Sequence, residues 1–293
     1  MRFTRKAHTR EMRHPIDGFQ ISAPVVHLFE HLAANEEAEY LEAWELQLRY
    51  AALLYDFSSD LLAAHPWAEP SSQRISCMEL DYVTTPFELS PVAWNGCDGL
   101  HYSCVVHAPE LDLADFPMVS FAPMEDGAVW LGDDTAEGLG HLMVWKRKGR
   151  LAFGQNDPLG TDEWETLVTI LGQRPDPDDA RITAGARSKV SCVPPVPAGY
   201  RFEDGPDGVG VLAPAHLFGD RDFEPMPGEP ALFDREAGRL AAEGMHAGAL
   251  VLQKHLRSWE PEDVSIVERM RQSYVALGRP MHASRAAKWI EKR

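Results

Sequence analysis

Near its C-terminal end the chain repeats itself, with a period of about 34 residues that is typical of paired helices. The segments 239–249 and 273–283 run in parallel, with Gly244 matched by Gly278 and Ala249 matched by Ala283. Paired helices of this kind cannot bury their apolar faces alone and must stack on a neighbour. The sequence therefore predicts helical hairpins at the end of the chain, and a protein that holds another protein rather than one that turns over a substrate.

This stretch resembles the tetratricopeptide repeat family. Ala249 and Ala283 stand at its small-residue positions, Tyr274 at an aromatic position and Pro261 at the closing proline. The resemblance implies stacked helical hairpins in residues 232–293. Three departures put the usual peptide-binding groove in doubt, and they are Ala237, Arg271 and Gln253. Because two repeats are fewer than the usual minimum of three, they are expected to pack on the rest of the chain or on a second copy of it.

Upstream of the repeat, the pattern predicts a mixed domain over residues 1–172. Apolar residues at helical spacing indicate helices, and short β-branched or aromatic runs indicate strands. The helices are expected within 24–64, 135–147 and 161–171, and the strands at 76–83, 100–107 and 118–122. The predicted fold class is therefore α+β, with a small, mainly antiparallel sheet and flanking helices, followed by an all-α pair of hairpins.

The connection between these two parts is rich in proline. Residues 173–231 hold ten of the 22 prolines and no long periodic segment. We expect an irregular connection that leans on its neighbours, with one hairpin near residues 200–212.

Charge is distributed unevenly along the chain. The formal net charge is −17, and residues 15–231 carry 12 basic against 36 acidic side chains, a net charge of −24. A field of this sign repels nucleic acid and anionic lipid, and it attracts a basic protein partner. The competing interpretation is that the acidic surface only keeps the protein dispersed in water.

His27, Glu30 and His31 match the H-x-x-E-H pattern of inverted zinc proteases. Residues four apart share a helix face, so two imidazoles could hold zinc beside a glutamate acting as general base. Leu28 and Phe29 need the buried side of the same short helix, which argues against a zinc site. We therefore expect no metal and no cofactor, and we keep a zinc-dependent hydrolase as the alternative function.

A tight turn at residues 95–99 precedes a predicted strand. The run Gly96-Cys97-Asp98-Gly99-Leu100-His101-Tyr102 resembles the Gly-Gly-Asp-Gly-Val-His-Phe turn of the SUKH group, with cysteine in place of one glycine. Many members of that group are bacterial toxin-immunity proteins, and the resemblance of residues 84–145 implies a small α+β domain with such a role. The candidate binding residues are Trp94, Asn95, Asp98, His101 and Tyr102. In the alternative interpretation, Asn95 and Asp98 only form the turn and Trp94 belongs to the core.

The remaining sequence signals exclude several classes of function. The chain contains no phosphate loop, dinucleotide fingerprint or serine-hydrolase elbow. Its basic start is not followed by an apolar stretch, and its four cysteines form no C-x-x-C pair, so a reducing, cytoplasmic location without membrane contact is expected. The sequence thus predicts a non-enzymatic protein-binding protein, an immunity-type inhibitor or adaptor for a basic partner. A scaffold that self-associates into a homo-oligomer through its C-terminal repeats is the third hypothesis.

Overall fold

The computed structural model describes ten parts of the chain. They are residues 12–13, 20–24, 27, 82–94, 100–113, 115–123, 127–152, 161–172, 194–220 and 229–293. Within them a four-stranded antiparallel sheet with flanking helices precedes a hairpin and a C-terminal cluster of four helices. The predicted α+β fold class is confirmed.

The central sheet follows chain order, with neighbouring strands paired antiparallel. The strands are β3 (Leu89–Trp94), β4 (His101–Val105), β5 (Met118–Phe121) and β6 (Ala128–Gly132), and two-residue strands β1 (Met12–Arg13) and β2 (Gln20–Ile21) pair separately. β4 and β5 lie where strands were predicted. Of the predicted strand 76–83, residues 76–81 lie outside the described residues, and Val83 lies in a turn rather than in a strand.

Strand β3 occupies a segment that the sequence did not indicate as a strand. Pro91 lies inside it and donates no hydrogen bond, which normally argues against a strand. The proline is tolerated because β3 is an edge strand and its pairing with β4 is irregular between Pro91 and Ala93.

Two helices follow the sheet, α1 (Thr135–Ala152) and α2 (Thr161–Leu171). At the start of α1, Asp134 Oδ1 accepts a hydrogen bond from the Glu137 backbone N–H at 2.7 Å. Glu137 Oε2 in turn accepts one from the Asp133 N–H at 2.6 Å, which makes a reciprocal cap. α1 runs beyond the predicted end and includes Gly149.

The proline-rich connection contains the expected hairpin. Strands β7 (Tyr200–Glu203) and β8 (Val211–Pro214) pair antiparallel. In the turn between them, Asp207 Oδ1 accepts hydrogen bonds from the N–H groups of Val209 and Gly210 at 3.0 and 3.2 Å. The side chain of Asp207 therefore holds the turn in shape and leaves its second oxygen for another partner.

The C-terminal helices reproduce the period of the sequence repeat. They are α3 (Pro230–Ala242), α4 (His246–Trp259), α5 (Val264–Ala276) and α6 (Pro280–Glu291), so α5 begins one period after α3, and α6 begins one period after α4. Both hairpins turn at a glycine with positive φ, +83° at Gly244 and +71° at Gly278. The prediction that this region is helical is confirmed.

The two turns also share their hydrogen bonds. Gly244 N–H donates to the Ala241 carbonyl and Met245 N–H to the Leu240 carbonyl, at 3.1 and 2.8 Å. The equivalent bonds from Gly278 and Arg279 measure 3.0 and 2.9 Å. This is the Schellman arrangement, in which a left-handed glycine closes a helix, and its recurrence makes the repeat structural as well as sequential.

Two clusters of buried apolar residues hold the described parts together. One joins the four C-terminal helices to Phe87 and to strand β8, through Val211 and Ala213. The other lies in the central sheet and includes Leu89. Phe87 and Leu89 are two residues apart, so a short segment at the start of β3 connects the helical cluster to the sheet.

Candidate functional site

The C-terminal helices bind a segment of their own chain, residues 82–90, here called the clamped segment. Arg257 Nη2 donates to the Val83 carbonyl at 2.7 Å. Arg285 Nη1 donates to the carbonyls of Phe87, at 3.1 Å, and of Leu89. Guanidinium groups that donate to main-chain carbonyls recognise the path of a chain rather than its side chains. The inner surface of the helices therefore already holds a segment that contains two turns, closed by hydrogen bonds from Thr85 N–H to the Tyr82 carbonyl and from Leu89 N–H to the Pro86 carbonyl.

Phe87 is the apolar anchor of the clamped segment. Its ring meets Tyr274 edge-on, with centroids 6.2 Å apart and an interplanar angle of 87°. The guanidinium carbon of Arg257 lies 4.2 Å from the centroid of the Phe87 ring, in cation–π contact. Because Phe87 is 4% exposed, these contacts are made away from water.

Next to this anchor lies a buried ionic cluster of Glu88, Asp207, Lys254 and Tyr274. Lys254 Nζ is 2.8 Å from Glu88 Oε2 and 2.8 Å from Asp207 Oδ2. Tyr274 Oη donates to Glu88 Oε1 at 2.8 Å. The side chains of Lys254 and Glu88 are 2% and 1% exposed, whereas that of Asp207 is 17% exposed. The cluster ties helices α4 and α5 to the clamped segment and to the β7–β8 turn, with its lysine and glutamate removed from bulk water.

The pKa values of this cluster follow from burial and from the opposite charges. Burial alone raises the pKa of Glu88, but Lys254 and the hydrogen bond from Tyr274 outweigh it and hold the pKa below its usual value. Burial lowers the pKa of Lys254, but Asp207 and Glu88 raise it above its usual value. Burial and Glu88 raise the pKa of Tyr274 well above normal. At neutral pH the lysine and glutamate are charged and the tyrosine is a donor.

Arg279 makes a second link between the C-terminal helices and the part of the chain around the four-stranded sheet, here called the sheet domain. Its Nη2 and Nε lie 2.9 and 3.2 Å from the two carboxylate oxygens of Glu110, and Nη2 also donates to the Leu212 carbonyl. Arg279 is 1% exposed, and the Glu110 side chain is 26% exposed. This bidentate pair fixes the short 3-10 turn at Pro109–Leu111 against the helices.

A separate cavity of about 390 Å³ is lined by Ala108, which precedes this turn, and by Leu113, which follows it. Val105, Phe116 and Leu212 line it together with the segment 194–197, and its polar lining residues are His107, Asp115 and Asp133. The volume lies in the range of ligand pockets, and the lining is mainly apolar, as in such pockets. We call it the acidic-rimmed cavity.

His107 is the unusual member of this lining. It is 3% exposed, and among the described residues neither ring nitrogen has a hydrogen-bond partner. Burial lowers the pKa of His107 to about 3, with Lys254 and Arg279 adding to the effect and Glu88 opposing it. The imidazole is therefore neutral at physiological pH, with one donor and one acceptor nitrogen.

The carboxylates at the cavity belong to the network that begins helix α1. Asp115 Oδ1 accepts from the Thr135 N–H at 3.0 Å, from its hydroxyl at 2.7 Å and from the Phe116 N–H at 2.8 Å. Asp133 Oδ1 accepts from the Trp130 indole at 3.0 Å. The hydrogen bonds at the start of helix α1 thus hold the carboxylates of Asp115 and Asp133, and their negative charges, at the cavity.

The predicted binding residues fall in different environments. Trp94 is the last residue of β3 and pairs with His101 across the sheet. Asn95 and Asp98 lie outside the described residues. His101 and Tyr102 are buried in β4, at 0% and 1% exposure, where His101 packs on Tyr82 and Phe121. In the described structure these two side chains belong to the interior rather than to a surface.

Of the three residues in the predicted zinc motif, the structure describes His27. His27 is helical and exposed, whereas Glu30 and His31 lie outside the described residues. Across the parts of the chain that the structure describes, no group of three or more histidine, cysteine or acidic side chains is placed to hold a metal ion. Over the same parts, no helix combines the length and the apolar character needed to cross a membrane.

Sequence reasoning did not select the residues that the structure brings together most closely. Lys254 stands within the repeat, and its counterpart one period later, Lys288, is exposed, so the repeat pattern does not distinguish the two. Glu88 could have been recognised from the sequence, because it is a charged residue between two apolar residues, Phe87 and Leu89. A carboxylate in such a position requires a buried partner.

No protein-family model matches this chain, and no curated protein matches it significantly.

Proposed function

We propose that this protein is a non-enzymatic protein-binding protein, an immunity-type inhibitor or adaptor for a basic partner. The observation that carries the proposal is the separation of charge. Residues 75–145 contain 12 acidic side chains and no lysine or arginine. Four cations of the C-terminal helices are at most 6% exposed, and they are Lys254, Arg257, Arg279 and Arg285. Lys254 and Arg279 pair with Glu88 and Glu110, so the other ten of the 12 carboxylates in residues 75–145 are left to set the outer field.

We assign the C-terminal helices a supporting role in this function, as tetratricopeptide-like hairpins that act as an internal clamp. The regular spacing of the helices and the recurring glycine turns support this assignment. Their inner surface binds the clamped segment through Arg257 and Arg285. We propose accordingly that the partner binds the acidic sheet domain, as the resemblance of residues 84–145 to immunity proteins would imply.

The experiment first captures the partner from the source cells on immobilised full-length protein, then measures association and dissociation by stopped flow. Raising the ionic strength from about 0.01 to 0.15 M shortens the Debye length from roughly 30 to 8 Å. The association rate should fall at least tenfold, because electrostatic steering is screened. The dissociation rate should change much less, since buried contacts are little screened.

Matched charge variants locate the surface that is responsible. Asp112→Asn and Asp133→Asn remove two exposed charges from the sheet domain, and Asp112 already has the left-handed backbone (φ 45°) that asparagine tolerates. The control, Glu262→Gln, removes one exposed carboxylate from the helical region, and the Glu262 side chain is 74% exposed. The first pair should slow association and the control should not. An acidic partner, or an association rate indifferent to salt, would remove the basis of the proposal.

A further inference from the structure

The acidic-rimmed cavity is an apolar volume beside two carboxylates. Phe116 and Leu212 line it together with Asp115 and Asp133, which also belong to the hydrogen-bond network at the start of helix α1. His107 contributes to the lining, but both of its ring nitrogens are buried, and its ring meets Phe202 edge-on with centroids 5.6 Å apart. The cavity therefore offers unused apolar volume next to negative charge.

The mouth of the cavity is apolar as well. Among the described residues five large apolar side chains are exposed, and two of them line this cavity, Leu113 at 38% and Val196 at 47%. Exposed apolar side chains around a pocket, rimmed by charge, are typical of a protein-binding surface. Asp115 and Asp133 supply that charge, and both are negative.

We propose that the acidic-rimmed cavity receives a tyrosine or tryptophan side chain of the basic partner, flanked there by lysine or arginine. The aromatic ring fills the apolar wall. The neighbouring cations meet Asp115 and Asp133 at the rim. Tyrosine, tryptophan and arginine dominate the energetics of protein interfaces because they join large apolar area to a polar end. This inference rests on the proposed function, since it names the part of the partner that the acidic surface attracts.

The charge of the lining agrees with this occupant. His107 is neutral and Asp115 and Asp133 are negative, so the lining attracts the flanking cations. A carboxylate ligand would instead face two negative side chains without a compensating cation in the cavity lining.

The test uses three capped peptides as probes with the full-length protein, measured by ligand-observed saturation-transfer NMR. They are Lys-Trp-Lys, Lys-Leu-Lys and Glu-Trp-Glu. We expect Lys-Trp-Lys to bind at least fivefold more tightly than either of the others. Equal binding of Glu-Trp-Glu would overturn the role of the acidic rim, and equal binding of Lys-Leu-Lys would overturn the aromatic anchor. Absence of binding at millimolar peptide would overturn the site itself.

Variants at exposed positions assign the binding to this cavity without disturbing the core. Leu113→Ser should weaken Lys-Trp-Lys binding about fivefold or more. The matched control Val275→Ser changes an apolar side chain that is 57% exposed on helix α5, and it should leave binding within twofold. Equal affinities for the Leu113→Ser and Val275→Ser proteins would overturn the inference.

The failure of this inference and the failure of the proposed function give different results. If Leu113→Ser has no effect on the peptide or on the captured partner, while association with that partner still slows with salt, the cavity inference fails alone. If the association with the partner ignores salt, the proposed function fails, and the cavity inference fails with it.

Discussion

Replacing Lys254 by methionine should lower the free energy of unfolding by about 3–5 kcal/mol, the usual cost of removing one partner from a buried ion pair. Lys254 Nζ lies 2.8 Å from carboxylate oxygens of both Glu88 and Asp207, whose side chains are 1% and 17% exposed. Methionine fills most of the volume but leaves two carboxylates facing each other. A loss of this size is a large fraction of the roughly 5–15 kcal/mol that stabilises a typical domain.

The chain offers a matched control for this substitution. Lys288 occupies the equivalent position one repeat later and is exposed. Lys288→Met should change the free energy of unfolding by no more than about 0.5 kcal/mol. Urea denaturation, followed by circular dichroism and tryptophan fluorescence, measures both variants against the wild type, with the midpoints compared at a common slope.

The dependence of this loss on pH provides a second check. In the wild type Lys254 holds the pKa of Glu88 below its usual value against the effect of burial. Without Lys254, burial is unopposed by that cation, and the folded-state pKa of Glu88 should rise above its usual value. The folded variant then takes up a proton that the unfolded chain does not, so its stability increases as the pH falls from 8 towards 5. The difference from wild type should therefore be smaller at pH 5 than at pH 8.

A double-mutant cycle completes the test. Glu88→Gln in the Lys254→Met background removes the stranded charge and should recover part of the loss, with a coupling energy of about 0.5–3 kcal/mol. If Lys254→Met and Lys288→Met cost the same, or if the loss of Lys254 is greater at pH 5 than at pH 8, the buried ionic cluster does not stabilise the fold in the way described.

Four further substitutions test the packing and the titration of the protein. Ala283, which is 7% exposed, lies in the helical core, so Ala283→Leu should overpack it and cost about 1–3 kcal/mol in a thermal melt, and an unchanged melt would count against the repeat. At Gly248 an added Cβ would overlap the Phe218 carbonyl oxygen, so Gly248→Ala should destabilise the fold. Gly238 has open space around it, so Gly238→Ala should stabilise helix α3 by up to about 1 kcal/mol. If urea denaturation showed Gly248→Ala to be the more stable variant, these contacts would be contradicted. Because His107 has a folded pKa of about 3 and an unfolded value near 6.5, the unfolded state binds the extra proton and the wild type should lose about 2 kcal/mol through this group between pH 7 and pH 5. His107→Phe should abolish that component, and an acid sensitivity equal to that of the wild type in urea titrations would refute it.

Local patterns were sufficient for most secondary-structure elements. The strands β4 and β5 and the four C-terminal helices lie where their residue patterns predicted them. Side-chain periodicity and the glycine turns at Gly244 and Gly278 act over a few residues, so they can be read directly from the chain. Strand β3 was missed because Pro91 is a local argument against a strand, and only its place at the edge of the sheet makes the proline acceptable.

The sequence by itself therefore determined the repeat, the α+β class and the excess of acidic residues. Tertiary structure alone decided which charges meet. Tyr274 bonds Glu88 across 186 residues, and Lys254 bonds Asp207 across 47, separations over which no periodic pattern predicts a contact. The same holds for His107, whose ring meets Phe202 edge-on, far along the chain. Burial is a property of the assembled chain, and it turns these ordinary residues into a buried ionic cluster and a neutral imidazole because removal from water makes each charge and polar atom depend on the groups beside it.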